Sequence, residues 1–454
     1  MVSLQPNSKW RNAVLGVDVK VPISDNRLAA AINFDNAATT PPFVKTLDEI
    51  NCFAPYYSSI HRGSGYKSTL SSELYELSRS VVLDFVKGDP NHDIVIFVKN
   101  TTEAINKLSY RLLREEDSKK VILSTRMEHH SNDLPWRNKY HVEYVEIDEN
   151  GRLSLNDLEK KLHEHKGSVR LVTITGASNV TGYVNPIYEI AEIAHAYKSQ
   201  IMVDAAQLAP HAPIVMQPPG SPRHIDYLAF SAHKMYAPFG TGVLIGPRET
   251  FQYGIPEYVG GGTVKSVTPD NVIWDDPPHR EEAGTPNVIG VITLKTAIET
   301  LNQIGMTPLC QHEKNLWDYT MKKLAGIPCL DIYCDTDATK PRIGIIPFNI
   351  KGIHHTLVAE ILSGEAGISV RTGCFCAQPY VRRLLNLTPA DTKFTKVDHS
   401  TCPGMVRISF GFYNDYREID VFVQTVTRIV EYRDDYLNKY MRLQNLDFPR
   451  HKLS

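Results

Sequence analysis

The sequence has no excess of charge of either sign and no long hydrophobic run. Its 454 residues include 49 basic and 51 acidic side chains, which gives a formal net charge of −2. This balance argues against a nucleic-acid partner and against binding to a charged membrane surface. No apolar run approaches the length of a membrane span, and residues 1–10 contain no apolar signal core. A cytoplasmic protein is therefore expected.

Cysteine is scarce, and the seven cysteines are scattered along the chain. An odd number at irregular spacing argues against a disulfide framework and fits a reducing compartment. Internal repeats and low-complexity tracts are also lacking. At this length the chain can form two or three domains with a large core.

Short strand-like runs alternate with helix-like runs over the first half of the chain. This alternation predicts an α/β fold, with a mainly parallel sheet of seven strands covered by helices on both faces. In such sheets a ligand binds beyond the carboxyl ends of the strands. The predicted strands are Ile94–Val98, Val121–Ser124, Val142–Ile147, Leu171–Thr175, Ile201–Asp204, Tyr227–Ser231 and Gly242–Gly246.

Three segments are predicted along the chain. Residues 1–33 form an N-terminal arm, residues 34–304 a large ligand-binding domain and residues 305–454 a smaller α+β domain. The smaller domain contains shorter strand patterns, including Ile368–Val370 and Met405–Phe410. The arm is expected to pack with the smaller domain.

Lys234 directly follows the predicted strand Tyr227–Ser231, in the sequence Ser231-Ala-His-Lys234. Lysine is rarely buried unless it is paired or chemically used. Partial burial lowers the pKa of the amine and leaves it nucleophilic, as an imine with an aldehyde cofactor requires. The alternative is a loop lysine whose amine extends to water.

Other chemically versatile residues also follow predicted strands. Thr101 and Thr102 open a helix whose N–H groups and hydroxyls can seat a phosphate, although the same residue types serve as helix caps. Asp204 can pair with a pyridinium nitrogen or cap the next turn. His129 can stack on a ring, move protons or be structural, and Gln207 can bond to a ring hydroxyl. With the lysine, these groups are the components of a pyridoxal phosphate site.

Seven motifs in order resemble the class V (NifS-like) aminotransferase family, and within it the SufS-like cysteine desulfurases. The resemblance implies the aspartate-aminotransferase-like fold of pyridoxal-phosphate-dependent transferases. It extends from Phe34-Asp-Asn-Ala-Ala to Arg407-Ile-Ser-Phe. The motifs are Asn100-Thr-Thr-Glu-Ala-Ile-Asn106, Met127-Glu-His-His-Ser-Asn132, Ser178-Asn-Val-Thr-Gly182, Val203-Asp-Ala-Ala-Gln207, Ser231-Ala-His-Lys234, Glu282-Ala-Gly-Thr-Pro-Asn287 and Val370-Arg-Thr-Gly-Cys-Phe-Cys376.

The resemblance assigns roles around the cofactor. It implies that Lys234 forms the imine, Asp204 pairs with the ring nitrogen and Gln207 with the ring oxygen. His129 is implied to lie over the ring and to shuttle protons. The residues implied to contact the phosphate are Thr101, Thr102, Ser231 and His233, with Thr285 reaching it from the other subunit of a homodimer.

The substrate residues are implied in the same way. The resemblance implies that Asn179 and Arg371 hold the substrate carboxylate, a group that a guanidinium suits. It also implies that Asn179 contacts the cofactor. His61 belongs to a loop that matches intersubunit positions of the family. Cys376 is implied to be the nucleophile that takes sulfur from L-cysteine as a persulfide and leaves L-alanine. A sulfur-acceptor protein would then receive the sulfur.

Alternatives remain open at this point. Cys376 could be an inert buried cysteine, since buried cysteines are common. The chain could catalyse another class V reaction that needs no cysteine nucleophile, as a selenocysteine lyase, C–S lyase, epimerase or aminotransferase. It could also be a non-catalytic scaffold that keeps the fold.

The sequence departs from the SufS-like pattern at three places. Cys374-Phe-Cys376 has two thiols where one is common, and it resembles the desulfurase domain of molybdenum-cofactor sulfurases. No second ligand pair with zinc-like spacing accompanies it, so no metal site is predicted. The segment Asn386–Cys402 is longer than usual, and the proline-rich Met216–Pro222 is a local insertion.

Overall fold

A computed structural model describes the backbone of residues 8–113, 121–337, 339–387 and 402–444, and the side chains of these ranges up to residue 440. Most of the long segment Asn386–Cys402 lies outside the described residues. So do residues 1–7 of the predicted arm and residues 445–454 of the predicted C-terminal domain.

The described chain alternates between strands and helices. The strands are β1 (Lys20–Pro22), β2 (Leu28–Ala30), β3 (Ile32–Asn33), β4 (Asp93–Val98), β5 (Val121–Thr125), β6 (His141–Val145), β7 (Val169–Thr175), β8 (Gln200–Asp204), β9 (Tyr227–Ser231), β10 (Gly242–Pro247), β11 (Val264–Val267), β12 (Val272–Trp274), β13 (Leu330–Ile332), β14 (Ile345–Ile350), β15 (Ile368–Ser369), β16 (Arg371–Gly373) and β17 (Met405–Ser409). The helices are α1 (Val44–Phe53), α2 (Tyr66–Phe85), α3 (Thr101–Arg111), α4 (Leu134–Arg137), α5 (Leu155–Glu164), α6 (Ile187–Ala196), α7 (Arg248–Gln252), α8 (Val288–Ile304), α9 (Met306–Leu324), α10 (His355–Ala366), α11 (Gln378–Leu384), α12 (Tyr416–Glu431) and α13 (Arg433–Gln444). None of these described helices is long and apolar enough to cross a bilayer.

The central sheet confirms the predicted α/β fold and its seven strands. Within the described residues its order is β4-β10-β9-β8-β7-β5-β6. Strand β10 runs antiparallel to both of its neighbours, and the remaining strands are parallel to one another. The carboxyl ends of the parallel strands therefore share one edge, where a ligand is expected.

Successive residues of the central strands face opposite layers of the protein. In β9, Leu228 and Phe230 join the apolar cluster that includes residues of α2, α6 and α8. Tyr227 and Ala229 join the cluster formed with α3 and α4 on the other face. This period of two follows from the alternating direction of side chains along a strand. Because both faces are covered, all of β9 is buried, and Phe230→Ala is expected to cost about 3–5 kcal/mol.

The C-terminal part has its own sheet. Strands β13, β14, β17 and β16 form an antiparallel sheet in that order. The predicted strand Ile368–Val370 does not belong to it: Ile368 lies opposite Ile32, in a parallel pair of β15 with β3. That pairing joins residues before Phe34 to the C-terminal part, while the proposed domain boundaries stay a prediction.

Candidate active site

A cleft opens beyond the carboxyl ends of the parallel strands, where the sequence predicts the ligand. It brings together eleven of the thirteen predicted site residues. These are Thr101, Thr102, His129, Asn179, Asp204, Gln207, Ser231, His233, Lys234, Arg371 and Cys376. The first nine come from five strand ends of the central sheet, and the last two come from the C-terminal part.

Lys234 ends a short 3-10 helix, Ala232–Lys234, that directly follows β9. Burial lowers the pKa of its amine to about 8, and the carboxylate of Asp204 opposes that shift. Among the described residues, no group forms a hydrogen bond or salt bridge with the Lys234 amine. An unpaired amine with a lowered pKa is nucleophilic near neutral pH.

Asp204 and Gln207 leave polar atoms at the buried end of the cleft. The Asp204 Oδ1 accepts a hydrogen bond from Ala206 N at 2.9 Å. Burial raises the pKa of this carboxyl, so a cationic partner would offset the cost of its charge. Gln207 Nε2 donates to Ala37 O at 2.6 Å, and Gln207 Oε1 is buried without a hydrogen-bond partner among the described residues.

The amino terminus of α3 forms the opposite end of the cleft. Asn100 is the N-cap, since its side chain accepts from Glu103 N at 3.0 Å. Thr101 N donates to Ser231 Oγ at 2.8 Å, and Thr102 Oγ1 lies 2.6 Å from Ser131 Oγ. The start of α3 is therefore capped by Asn100 and also carries the hydroxyl groups of Thr101 and Thr102. The free N–H groups and hydroxyls of a helix start favour an anion such as phosphate.

His233, the neighbour of Lys234, also lines the cleft. Its Nδ1 lies 3.2 Å from Thr39 Oγ1. Burial, with a smaller effect from the Lys234 charge, lowers the pKa of this imidazole to about 4. His233 is therefore neutral at neutral pH and can contact an anion only through hydrogen bonding.

His129 is held as one neutral tautomer. Ser131 N donates to His129 Nδ1 at 3.1 Å, so the ring proton is on Nε2. Burial is the larger cause, and the Lys234 charge the smaller one, of a pKa lowered to about 3. Its neighbour Glu128 accepts from Asn132 Nδ2 and Thr175 N at 2.7 and 2.9 Å. These buried bonds position the loop after β5.

Two arginines meet the cleft from neighbouring strands of the smaller sheet. Arg371 in β16 pairs with Arg407 in β17. Arg407 Nη2 donates to Asp35 Oδ1 at 3.0 Å, and its Nη1 donates to Asn179 O at 2.7 Å. Burial lowers the pKa of Arg407 to about 10. Only 3% of the Arg407 side chain is exposed, against 54% for Arg371, so Arg371 is the arginine more open to a ligand.

Sequence reasoning missed Arg407, Asp35 and Glu128 as site residues. The signal for Arg407 was an arginine inside the apolar run Met405–Phe410, since a buried arginine requires partners. No local sequence pattern pointed to Asp35, because its partner Arg407 is far along the chain.

The Cys376 thiol lies on an exposed turn beside the cleft. Phe375 and Cys376 have φ values of 51° and 53°, in the left-handed region. Asn179 Nδ2 donates to Phe375 O at 2.8 Å, and His130 N donates to Cys376 O at 2.6 Å. Together these two bonds tie the turn to the loops that follow β7 and β5.

Cys374 is placed differently from Cys376. It is partly buried, and its Sγ lies 3.4 Å from Pro403 O. Burial raises the pKa of this thiol. Of the two thiols in the Cys-Phe-Cys motif, Cys376 is the one that lines the cleft.

His61 and Thr285 do not line the cleft of their own chain. They lie together in a second cavity, with Gly261, Gly262 and His279 among its walls. The His61 Nε2 lies 3.0 Å from Glu76 Oε1. The predicted roles of both residues required a second subunit, and that requirement stays a prediction.

Comparisons with known proteins agree over most of the chain. The sequence profile of the aminotransferase class-V family matches residues 32–422. The cysteine desulfurase of Haloferax volcanii is 31% identical over 420 residues, which cover 91% of this chain and 92% of the relative. That of Yersinia pseudotuberculosis is 33% identical over 409 residues, covering 88% and 93%.

Solved structures give the same result. A cysteine desulfurase from Thermococcus onnurineus aligns with a TM-score of 0.78 at 31% identity, covering 88% of this chain and 95% of that chain. A cysteine desulfurase from Escherichia coli aligns with a TM-score of 0.75 at 27% identity, over the same shares.

Proposed function

The chain belongs to the aminotransferase class-V family, and we propose that it is a pyridoxal-phosphate-dependent cysteine desulfurase. It converts L-cysteine to L-alanine and keeps the sulfur on Cys376 as a persulfide. The observation that carries this proposal is the single cleft in which Lys234, Asp204 and Cys376 meet. A lysine, a buried carboxylate and an accessible thiol supply the amine, the ring partner and the sulfur acceptor.

The residues of the cleft fit pyridoxal phosphate. Asp204 is a buried carboxylate suited to a protonated ring nitrogen, and Gln207 Oε1 is a buried oxygen that has no hydrogen-bond partner in the described part of the chain. The start of α3, with Ser231 beside it, is suited to the phosphate. When bound, the cofactor supplies an aldehyde for imine formation and a ring that withdraws electrons from the substrate Cα.

Lys234 is proposed to take the substrate proton, and His129 is proposed to act as a neutral hydrogen-bond donor. With a pKa of about 8, the Lys234 amine is partly neutral at neutral pH and can take the proton from the substrate Cα. His129 has a pKa of about 3 and stays neutral. With a cofactor bound, it would lie against the ring as a neutral imidazole and offer its Nε2–H as a hydrogen-bond donor, and it would not act as a cation.

The substrate carboxylate is proposed to bind at Arg371. Its exposed guanidinium lies 3.6 Å from Asp35 Oδ2, so part of its charge is already balanced. Arg407 is buried against Asp35 and Asn179, and it positions these residues. Asn179 in turn holds the Cys376 turn through the Phe375 carbonyl.

The sulfur step belongs to Cys376. Its thiolate attacks the substrate sulfur, an S–S bond forms, and the Cβ–S bond breaks with its electron pair going to the substrate Cβ. That carbon then takes a proton, and the product is alanine. The persulfide on Cys376 keeps sulfur at the oxidation level of S⁰, ready for a thiol of an acceptor protein. The exposed position of Cys376 supports such a transfer.

The test is cysteine turnover by the cofactor-loaded protein and three variants. Lys234→Ala is expected to abolish alanine formation, and Cys376→Ala is expected to abolish persulfide while the cofactor colour remains. Cys374→Ala is the matched control and should keep activity. Full alanine formation from Cys376→Ala would instead favour a class V reaction without a cysteine nucleophile. A protein that stays colourless with added pyridoxal phosphate would favour the scaffold.

A homodimer and a cytoplasmic location complete the proposal. His61 and Thr285 share a cavity away from their own cleft, which supports a contribution to the partner's cofactor site. The measurement is the molar mass in solution, with Thr285→Ala expected to weaken cofactor binding. The seven free cysteines are compatible with a reducing compartment.

A further inference from the structure

Three side chains meet at the edge of the central sheet opposite the cleft. His92 and Asp93 lie at the start of β4, and His224 lies three residues before β9. One ligand atom from each side chain lies within 4.8 Å of the other two. We propose that His92, Asp93 and His224 form a binding site for a divalent metal ion of the zinc type.

The first observation is an unused nitrogen on His224. Only 4% of this residue is exposed. Its Nδ1 lies 2.8 Å from Gln217 O, and because a carbonyl only accepts, Nδ1 carries the proton. In the neutral ring Nε2 then has a free lone pair. That nitrogen is buried and has no hydrogen-bond partner among the described residues.

The arrangement of His224 is that of a metal ligand. Metal-bound histidines almost always donate their other ring N–H to a carbonyl or carboxylate, which fixes the ring. A buried acceptor without a partner is costly in any other role. A metal ion would satisfy the Nε2 lone pair.

The second observation is the buried carboxylate of Asp93. None of its side chain is exposed. Oδ2 accepts from Asp89 N at 2.9 Å, and Oδ1 lies 2.8 Å from His92 Nδ1. Among the described residues, only His92 forms an ion pair with Asp93. A divalent ion would balance this charge more fully than a half-exposed imidazole.

The donor set and its access fit zinc. Two imidazoles and one carboxylate are its usual nitrogen and oxygen ligands, and a water molecule completes a tetrahedron. Tetrahedral zinc with bonds of about 2.0–2.1 Å separates its ligand atoms by about 3.3 Å. The ligand atoms lie within 4.8 Å of one another, so binding would draw them together, and His92, with 37% of its side chain exposed, is the most exposed of the three. The same exposure gives the ion a path from solvent.

A second histidine cluster serves as the comparison. His61, Glu76 and His279 also place ligand atoms within 4.8 Å of one another. There the His61 Nε2 is already bonded to Glu76, and Arg79 Nε donates to the other Glu76 oxygen at 3.0 Å. The arginine charge opposes a metal ion at that place, and within the described ranges neither of its histidines has a buried nitrogen without a hydrogen-bond partner.

The site gives a role to the Met216–Pro222 insertion. Gln217, which orients His224, has φ 63°, and Met216 N donates to Val86 O at 2.8 Å. A metal ion on His224 and Asp93 would join the insertion to the turn between α2 and β4. It would stabilise the fold and leave the chemistry of the cleft unchanged.

The experiment measures Zn²⁺ binding to the full-length, cofactor-loaded protein after treatment with a chelator. All proteins carry Cys376→Ala, so that the cleft thiol does not compete. Zn²⁺ alone is titrated by calorimetry, and the thermal unfolding temperature is followed with and without Zn²⁺. His224→Gln is the main variant, and His279→Gln in the second cluster is the matched control.

We expect one high-affinity Zn²⁺ per chain in the parent and in His279→Gln. In His224→Gln the affinity should fall at least as much as the roughly 100-fold that loss of an outer-shell partner costs. The rise in unfolding temperature with Zn²⁺ should disappear there. In a separate assay with Cys376 intact, His224→Gln should keep cysteine turnover.

His92→Gln guards against a folding defect, because the ring of His92 is half-exposed and its loss should be tolerated. Like His224→Gln, it should lower the affinity for Zn²⁺. The proposal is overturned if the parent binds no Zn²⁺, or if His92→Gln and every folded variant bind it as the parent does. Substituting Co²⁺ gives a further check, since a thiolate charge-transfer band would place the ion on cysteines instead.

Discussion

Arg371 and Arg407 lie opposite each other on neighbouring antiparallel strands, and both point a guanidinium at Asp35. Like charges in directly opposite positions are normally destabilising. Here the carboxylate of Asp35 lies between them, at 3.6 Å from Arg371 Nη1 and 3.0 Å from Arg407 Nη2. Arg407 is thereby held within the fold, and Arg371 keeps an exposed face, where the substrate carboxylate is proposed to bind.

This difference predicts two separate phenotypes. Arg371→Ala should raise KM for cysteine and lower kcat/KM roughly 10- to 100-fold, because a hydrogen bond to a charged group contributes about 1.5–3 kcal/mol. Its unfolding temperature should hardly change. Arg407→Met should lower the free energy of unfolding by about 3–5 kcal/mol, since it leaves Asp35 without its buried partner. Steady-state kinetics and thermal unfolding of both variants check this, and equal loss of stability in the two would contradict it.

The lowered pKa of Lys234 predicts how fast the cofactor-free protein takes up pyridoxal phosphate. The neutral amine is the reactive form, so the rate should rise with pH and level off above about 8. Asp204 raises this pKa, so Asp204→Asn should move the midpoint to lower pH. Stopped-flow absorbance across pH 6–10 measures both midpoints. A midpoint that moves upward in Asp204→Asn would refute the assigned sign.

His129 should not produce the acid limb of the pH–rate profile. Its pKa of about 3 means that it is already neutral well below neutral pH. His129→Asn should therefore lower kcat without moving the acid limb of kcat/KM. A shift of that limb would show that this histidine titrates near neutral pH in the working enzyme.

The two thiols of the Cys-Phe-Cys motif should differ in reactivity. Cys376 is exposed, whereas Cys374 is partly buried with a raised pKa. Iodoacetamide should therefore modify Cys376 well before Cys374, because the thiolate is the reactive form. Peptide mapping by mass spectrometry at short times gives the order. Cys52, which is also exposed and lies on α1, provides an internal reference for an ordinary surface thiol.

The repeating parts of the fold could be predicted from the sequence. Six of the central strands were identifiable because they are largely buried apolar runs, whereas β6 is a partly exposed edge strand with a weaker pattern. The residues after the strands were candidates because parallel strands end at one edge. The short strand β16 was not identifiable. Three residues carry no periodic signal, and its pairing with Met405–Ser409 depends on chain far away.

The same limit explains which site residues were found. Asp204 ends a strand of the central sheet, and Lys234 and His129 come after two others, so local pattern and topology place them. Asp35 and Arg407 are 372 residues apart in sequence, and only the closed fold brings them within 3.0 Å. Glu128 was visible beside His129, but its bonds to Asn132 and Thr175 N required the neighbouring strand.

The last prediction concerns Gly242, the first residue of β10. A Cβ at this position would lie 2.5 Å from the Cα of Asn100, the N-cap of α3. Gly242→Ala must therefore displace the backbone that opens the phosphate end of the cleft, and overpacking of this kind costs about 1–3 kcal/mol. Gly246→Ala is the matched control, since it crowds Tyr227 at 2.6 Å at the other end of the same strand. Both variants should lose stability, but only Gly242→Ala should weaken pyridoxal phosphate binding. The affinity should fall about tenfold or more if 1.4 kcal/mol of the strain falls on the start of α3. Equilibrium titration of the cofactor into both proteins checks this prediction. Equal affinities would show that the start of α3 does not hold the phosphate.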